Sequence, residues 1–466
     1  LDELGLEVCQ QLVRFPNGRG PRVAAVNSFG FGGTNACAIV QQPPPPPLRS
    51  VPARASSYPM LLPISAASKK ALEAQATQLA GLVDSDVTLR DAAGTLALRR
   101  SHLDHRAVVI AQSVDQAVDR LHAAAKSEPA QGVTYGRRMA DPRIAFIFSG
   151  QGAQWWRMGH DLLERDEVFR GTVEACDEIF QKLSGWSLIE QWKRPQEDSR
   201  MDQTIVAQPA TFALQVGLAA RWKEWGVKPA AVIGHSIGEM AASYIAGALS
   251  LEDAVNVVHH RSRLQELSRF QGGMAAVGLS AEEAGRFLHE EQFALEVAAI
   301  NSPDLVTIAG AKNELDRFLD HLESKRSDVF ARRLRVDYAF HTRLMDPFEA
   351  ELRRSLESMS SHCSEIVMFS TVTGKAVQAG ELNADYWWRN MREPVMFHSA
   401  FEVAIDQGFN TFVEIGAHPV LSGPARSSLA MRGARGMVVG SLDREQSDED
   451  ALTDALAELY VNGIDL

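Results

Sequence analysis

The sequence predicts an α/β fold on a mostly parallel sheet, and three observations lead there. Helical patterns alternate with short apolar runs over most of the 466 residues. One such run, Arg143-Ile144-Ala145-Phe146-Ile147-Phe148, enters the turn Ser149-Gly150-Gln151-Gly152. Another, Ala231-Val232-Ile233, enters Gly234-His235-Ser236-Ile237-Gly238 and then a small-residue helical stretch. Strand, sharp turn and helix are the setting of a G-x-S-x-G nucleophile elbow, where flanking glycines permit a strained turn that exposes the serine hydroxyl. The pentapeptide by itself is a weak signal in a chain with 34 glycines. Its flanks make Ser236 a candidate nucleophile.

Taken in order, Arg22–Val26 and Cys37–Val40 read as two strands around a glycine-rich turn. That turn is no phosphate loop, because the Lys-Ser/Thr pair is missing. Five prolines, 43–47, read as an extended linker. A second block carries a strand at 61–65, helices at 69–83 and 89–98, a strand at 106–111 and a helix at 114–125, which is a small α/β domain. The third block opens at 143. Strands at 274–279, 306–309 and 333–336 are separated by helices at 281–290 and 312–324, a compact insertion after the elbow. A helix at 251–267 and a helical tail at 449–461 complete the reading.

Composition narrows the function. A net charge of −12 argues against nucleic acid and anionic membranes as partners. No apolar run is long enough to span a bilayer. The four cysteines (Cys9, Cys37, Cys176, Cys363) lack CxxC spacing, which disfavours a metal site and a disulfide framework and suits a reducing cytoplasm. The opening Leu1-Asp2-Glu3 suggests a piece of a longer polypeptide. For a base to serve Ser236, the residues offer His341 and His418, both after strand-like runs. Ile237, at the start of the helix after the elbow, can aim a backbone N–H at an oxyanion.

Six segments then match one family in its order: Phe148 to Trp155, Gly234 to Glu239, Ala299 to Pro303, Asp337 to Thr342, Tyr386 to Asn390 and Glu414 to Pro419. With them, Asn27 to Ala36 looks like the C-terminal signature of a ketosynthase. The chain resembles the acyltransferase region of a type I polyketide synthase. The resemblance implies an α/β-hydrolase-like core with a ferredoxin-like insertion at 272–336, preceded by a small α/β linker domain. The implied divisions are a ketosynthase tail at 1–42, the linker domain at 43–142, the acyltransferase domain at 143–443 and a further linker at 444–466.

It further implies a Ser236–His341 dyad, with a backbone carbonyl instead of an Asp orienting the histidine, and His418 in a nearby packing role. Gln151 becomes the second oxyanion donor beside Ile237. Arg261, 25 residues past Ser236, becomes the clamp for a free carboxylate, a task suited to a guanidinium that binds bidentately and stays charged. Gln208 and Asn301 match positions near the acyl pocket. The implied activity is ping-pong transfer of an extender unit from coenzyme A to the phosphopantetheine thiol of an acyl carrier protein, with no permanently bound cofactor, no metal and a ketosynthase as neighbour.

Tyr338-Ala339-Phe340-His341 mixes the malonyl pattern of the family, which has Phe before the histidine, with the methylmalonyl pattern, which opens on Tyr. A ring at Phe340 would fill the space an α-methyl requires, so malonyl is expected. One methyl discriminates by only about 1–3 kcal/mol. Arg332, Arg333, Arg335 and Arg343 near His341 suggest attraction for coenzyme A phosphates or a carrier protein. Cys37 stands where the ketosynthase signature has His, which puts condensation by a parent synthase in doubt. A thioester hydrolase and a non-catalytic scaffold remain rival readings.

Overall fold

The central sheet of the third block consists of five parallel strands, in the spatial order Val367–Phe369, Ala231–Gly234, Ile144–Phe148, Thr411–Ile415, Met437–Gly440. Both of its faces are covered. Phe146, Phe148 and Val232 point into one apolar cluster, whereas Ala145, Ile147 and Ile233 point into another. This is why these strands read as unbroken apolar runs instead of alternating ones. In this computed structural model the described residues are 8, 10, 11, 13, 15, 20–44, 59–83 and 87–465. The prolines at 45–47, the opening residues 1–5 and Cys9 lie outside them.

The chain forms two units, 1–56 and 57–466. In the first, Val23–Phe29 and Asn35–Gln41 pair antiparallel with Asn27 opposite Cys37. In the second, Met60–Ala66, His105–Ala111 and Val133–Arg137 form an antiparallel sheet covered by the helices Lys69–Val83 and Val114–Ala125. Val133–Arg137 is absent from the sequence reading. The tail helix Asp448–Val461 packs back on this sheet through Tyr460 and Val461. Arg106, fully buried, donates to the Tyr460 carbonyl at 2.9 Å.

The insertion is a four-stranded antiparallel sheet in the order Ala331–Arg333, Gly272–Val277, Leu305–Ala311, Leu295–Ser302, with helices Ala281–Glu290 and Lys312–Lys325. Strand 1 beside strand 4 and strand 3 beside strand 2 is the ferredoxin-like arrangement. Two differences from the sequence reading stand out. Its last strand is Ala331–Arg333 and not 333–336, although Leu334 N still donates to Met274 O at 2.9 Å. Leu295–Ser302, an eight-residue strand, was not among the expected strands. It reaches out of the insertion: Ile300 N donates to Val395 O, and Val395 N to Ala298 O, each at 2.9 Å.

Candidate active site

Strands Ile144–Phe148 and Ala231–Gly234 are parallel neighbours, so the turns that follow them open at the same sheet edge. Ser236 has φ +55°, a left-handed backbone that a residue with a Cβ adopts at a cost of about 1–3 kcal/mol. The flanking glycines contribute closeness and not unusual torsions. A Cβ at Gly234 would strike the Glu239 backbone, and one at Gly238 would strike the Phe148 carbonyl. The strain resides in the serine itself. A Cβ at Gly150 would come 2.8 Å from His235 Nδ1, so the first turn is pressed against the second.

His341 reaches this serine from 105 residues further along, with Nε2 at 2.8 Å from Ser236 Oγ. It too has a left-handed backbone, φ +61°. Its Nδ1 lies 2.9 Å from the Glu393 carbonyl. A carbonyl only accepts, so Nδ1 carries the proton and the Nε2 lone pair faces the serine. That carbonyl is available for a local reason: helix Ala384–Arg392 ends there, and Pro394 holds Glu393 extended at ψ 160°. Burial, then the charge of Arg261, then His235, hold the imidazole well below the usual histidine range.

Arg261 lies on helix Leu251–Glu266 and is fully buried. Its Nη2 donates to Ser236 Oγ at 2.8 Å, its Nη1 to Gln208 Oε1 at 2.8 Å and Gln265 Oε1 at 2.9 Å, and its Nε to Asn390 Oδ1 at 3.2 Å. Burial lowers its pKa to about 9, which leaves it charged at neutral pH. Gln208 Nε2 donates to Gln151 Oε1 at 3.0 Å, and Gln151 Nε2 donates to Thr204 Oγ1 at 2.9 Å, which ties the first turn to the same cluster. Neither Gln151 N–H nor Ile237 N–H has a hydrogen-bond partner among the described residues. Both are free to meet a developing negative charge.

Tyr338 and Phe340 stack with centroids 4.9 Å apart and planes 13° from parallel. The Tyr338 hydroxyl donates to Glu266 Oε2 at 2.9 Å and accepts from Thr204 N at 3.2 Å, so the pair is anchored beside His341. Asn301 is one step removed: its Oδ1 sits 2.9 Å from His235 Nε2, and its Nδ2 donates to Thr307 at 3.2 Å.

The other candidates separate from this cluster. His418 faces Asp443 at 3.3 Å. The segment around it serves packing, since the buried Glu414 carboxylate accepts from Val420 N, Leu421 N and Ser422 N at the start of helix Ser422–Met431. The arginine run divides. Arg343 pairs with Glu296 and Arg333 with Asp316, whereas Arg332 and Arg335 stay exposed with no ion pair among the described residues.

Among the residues at the site that had no role in the sequence reading are Asn390, Gln265 and Glu239, whose Oε2 accepts from Asn390 Nδ2 at 2.8 Å. Gln265 was signalled by its place one helical turn after Arg261. Glu239 and Asn390 sat inside quoted segments, but nothing local shows that they meet. Among the described residues, no His/Cys/Asp/Glu group is arranged to hold a metal, and no helix is long and apolar enough to cross a membrane.

A family model described as acyl transferase domain matches residues 145–466, and one described as ketoacyl-synthetase C-terminal extension matches residues 1–110. The erythronolide synthase EryA3 of Saccharopolyspora erythraea is 37% identical over 99% of this chain. The chain spans only 6% to 14% of the length of the first curated synthases it matches. The acyltransferase domain from module 8 of the salinomycin polyketide synthase superposes with TM-score 0.84 at 34% identity, covering 87% of this chain and 96% of that one. The acyl transferase domain of SpnD, in complex with 2-(pent-4-yn-1-yl)malonyl, does so with TM-score 0.78 at 30% identity over 87% and 97%. A parallel sheet with a serine elbow, a ferredoxin-like insertion and these matches leave one assignment: the chain belongs to the acyl transferase domain family and is the acyltransferase region of a polyketide synthase.

Proposed function

We propose that this acyltransferase moves a malonyl extender unit from coenzyme A, through an ester on Ser236, to the phosphopantetheine thiol of an acyl carrier protein. The observation that carries the reading is at Ser236 Oγ, which lies 2.8 Å from both His341 Nε2 and Arg261 Nη2. A base and a buried cation on one hydroxyl suit an acyl group that is electrophilic at one end and anionic at the other.

His341 Nε2 takes the Oγ proton as Oγ attacks the thioester carbonyl, and the oxyanion forms against the Gln151 and Ile237 N–H groups. The C–S bond then breaks, and the departing thiolate takes the proton from Nε2. In the second half the carrier thiol gives its proton to Nε2, attacks the ester and takes the malonyl group, and Ser236 recovers its proton. Arg261 donates to the free carboxylate in both halves. Gln208 and Gln265 hold Nη1, so Nη2 is the edge left to exchange Oγ for the substrate carboxylate. Malonyl over methylmalonyl is favoured by Phe340, whose ring is stacked on an anchored tyrosine and has little freedom to yield to an α-methyl. A ketosynthase neighbour is consistent with the extension matched at residues 1–110.

The test is intact-protein mass spectrometry after brief incubation with malonyl-, methylmalonyl- and acetyl-CoA in competition. A malonyl adduct that disappears in Ser236→Ala is expected. A methylmalonyl adduct would overturn the selectivity and keep the mechanism. Free acid accumulating with no adduct would instead indicate a hydrolase.

A further inference from the structure

Directly behind the reacting serine lies a carboxylate that the mechanism above does not use. Glu239 is fully buried, three residues past Ser236. Its Oε1 accepts from Thr371 N at 2.6 Å, and its Oε2 accepts from Asn390 Nδ2 at 2.8 Å and from the Tyr386 hydroxyl at 3.0 Å. Tyr386, also buried, has Ser370 Oγ at 2.7 Å as its other partner. A carboxyl group held this far from water requires a reason, since desolvating its ionised form costs several kcal/mol.

The reason lies in Asn390, which stands between Glu239 and Arg261 and is itself only 3% exposed. A carboxylate only accepts and a guanidinium only donates, so an amide joining them has one workable sense. Nδ2 must face Glu239, as it does at 2.8 Å, and Oδ1 must face Arg261 Nε, as it does at 3.2 Å. The same Nδ2 donates to the Ser236 carbonyl at 3.2 Å. Turned over, the amide would set oxygen against the carboxylate and N–H against N–H. With Nε fixed by Asn390 and Nη1 by Gln208 and Gln265, the roll of the guanidinium is determined and Nη2 faces the acyl site.

We infer that Glu239 is a positioning residue for recognition of the substrate carboxylate: through Asn390 it sets the orientation in which Arg261 presents Nη2 to the acyl group on Ser236. The inference rests on the proposed role of Arg261 as the carboxylate clamp. Burial raises the Glu239 carboxyl to about 7 even against the hydrogen bonds from Thr371, Asn390 and Tyr386, which pull it down. The ionised form is the one that all three donors fit.

The experiment measures kcat and KM for acyl-serine formation from malonyl-CoA and acetyl-CoA, each alone, by quenched intact mass. It compares wild type, Glu239→Gln, Asn390→Ala, the double variant and Arg261→Ala. Glu239→Gln keeps the shape and removes the charge that orients the amide. It should lower the malonyl-to-acetyl ratio of kcat/KM about tenfold, mainly through KM for malonyl-CoA. Asn390→Ala should do the same, and the double variant should lose no more than the larger single effect. Glu239→Gln lowering both substrates in proportion would overturn the inference, because a merely structural role has that signature. An unchanged ratio in Glu239→Gln beside a collapsed ratio in Arg261→Ala would also overturn it and leave the clamp standing. An unchanged ratio in Arg261→Ala would remove the clamp itself and the inference with it. If Glu239→Gln does not fold, Asn390→Ala decides alone: a ratio within twofold of wild type overturns the inference.

Discussion

In the parallel sheet, Ile144–Phe148 and Ala231–Gly234 end side by side, and their turns bring Gln151, Ile237 and Ser236 to one edge. In the insertion, antiparallel strands end alternately at opposite edges, and among the described residues none of that sheet hydrogen-bonds Ser236 Oγ. What the insertion contributes is indirect. Asn301 holds His235, and Leu295–Ser302 is hydrogen-bonded to Val395, two residues past the carbonyl that fixes His341. Parallel strand ends gather functional groups because the backbone runs out of sheet at the same place each time. The antiparallel insertion stiffens one side of that gathering.

This contrast sets the order of effects. His341→Ala removes the proposed base and should slow acylation of Ser236 by about 10²–10⁴-fold, read by quenched mass spectrometry; a loss under tenfold would break the contrast, since the core would then not carry the chemistry. A pH profile sharpens it. In the proposed mechanism the active form of His341 is neutral, and burial with the charge of Arg261 holds its pKa well below 6.5. The acylation rate should therefore stay level as pH falls through 6.5 and drop only in more acidic buffer. In Arg261→Ala the acid limb should move to higher pH, because removing a nearby cation favours the protonated imidazole. A wild-type limb centred near 6.5 would mean that the core does not tune its histidine. Asn301→Ala, acting through His235, should cost roughly tenfold or less, the worth of one hydrogen bond of about 1.5 kcal/mol. A loss as large as that of His341→Ala would place the insertion inside the chemistry and erase the distinction.

Much of the molecule was legible before its structure. The apolar strands leading to Gly150 and Gly234, the capped helices after Ser113, Ser250 and Ser280, and the helical tail follow from local pattern. Two of the strands absent from the sequence reading have identifiable causes. In Leu295–Ser302 the polar Glu296 and Asn301 interrupt the β pattern because each serves the surroundings of the site, Glu296 binding Arg343 and Arg392, and Asn301 binding His235. In Val133–Arg137 the glycine that weakens the pattern is there because the tail helix comes close: a Cβ at Gly136 would lie 2.7 Å from Val461 Cγ2.

The sequence by itself determined the elements and the turn at Ser236, because periodicity, caps and glycine sterics act over a few residues. It also carried enough motif to place the chain in a family. It did not determine the company the serine keeps. His341 is 105 residues away, Asn390 is 154 away, and the sense of the Asn390 amide is decided by Glu239 on one side and Arg261 on the other. Those meetings depend on strand order and on which buried donors face which buried acceptors. Only the closed tertiary structure decides them, because only there is water absent and every polar group obliged to find a partner.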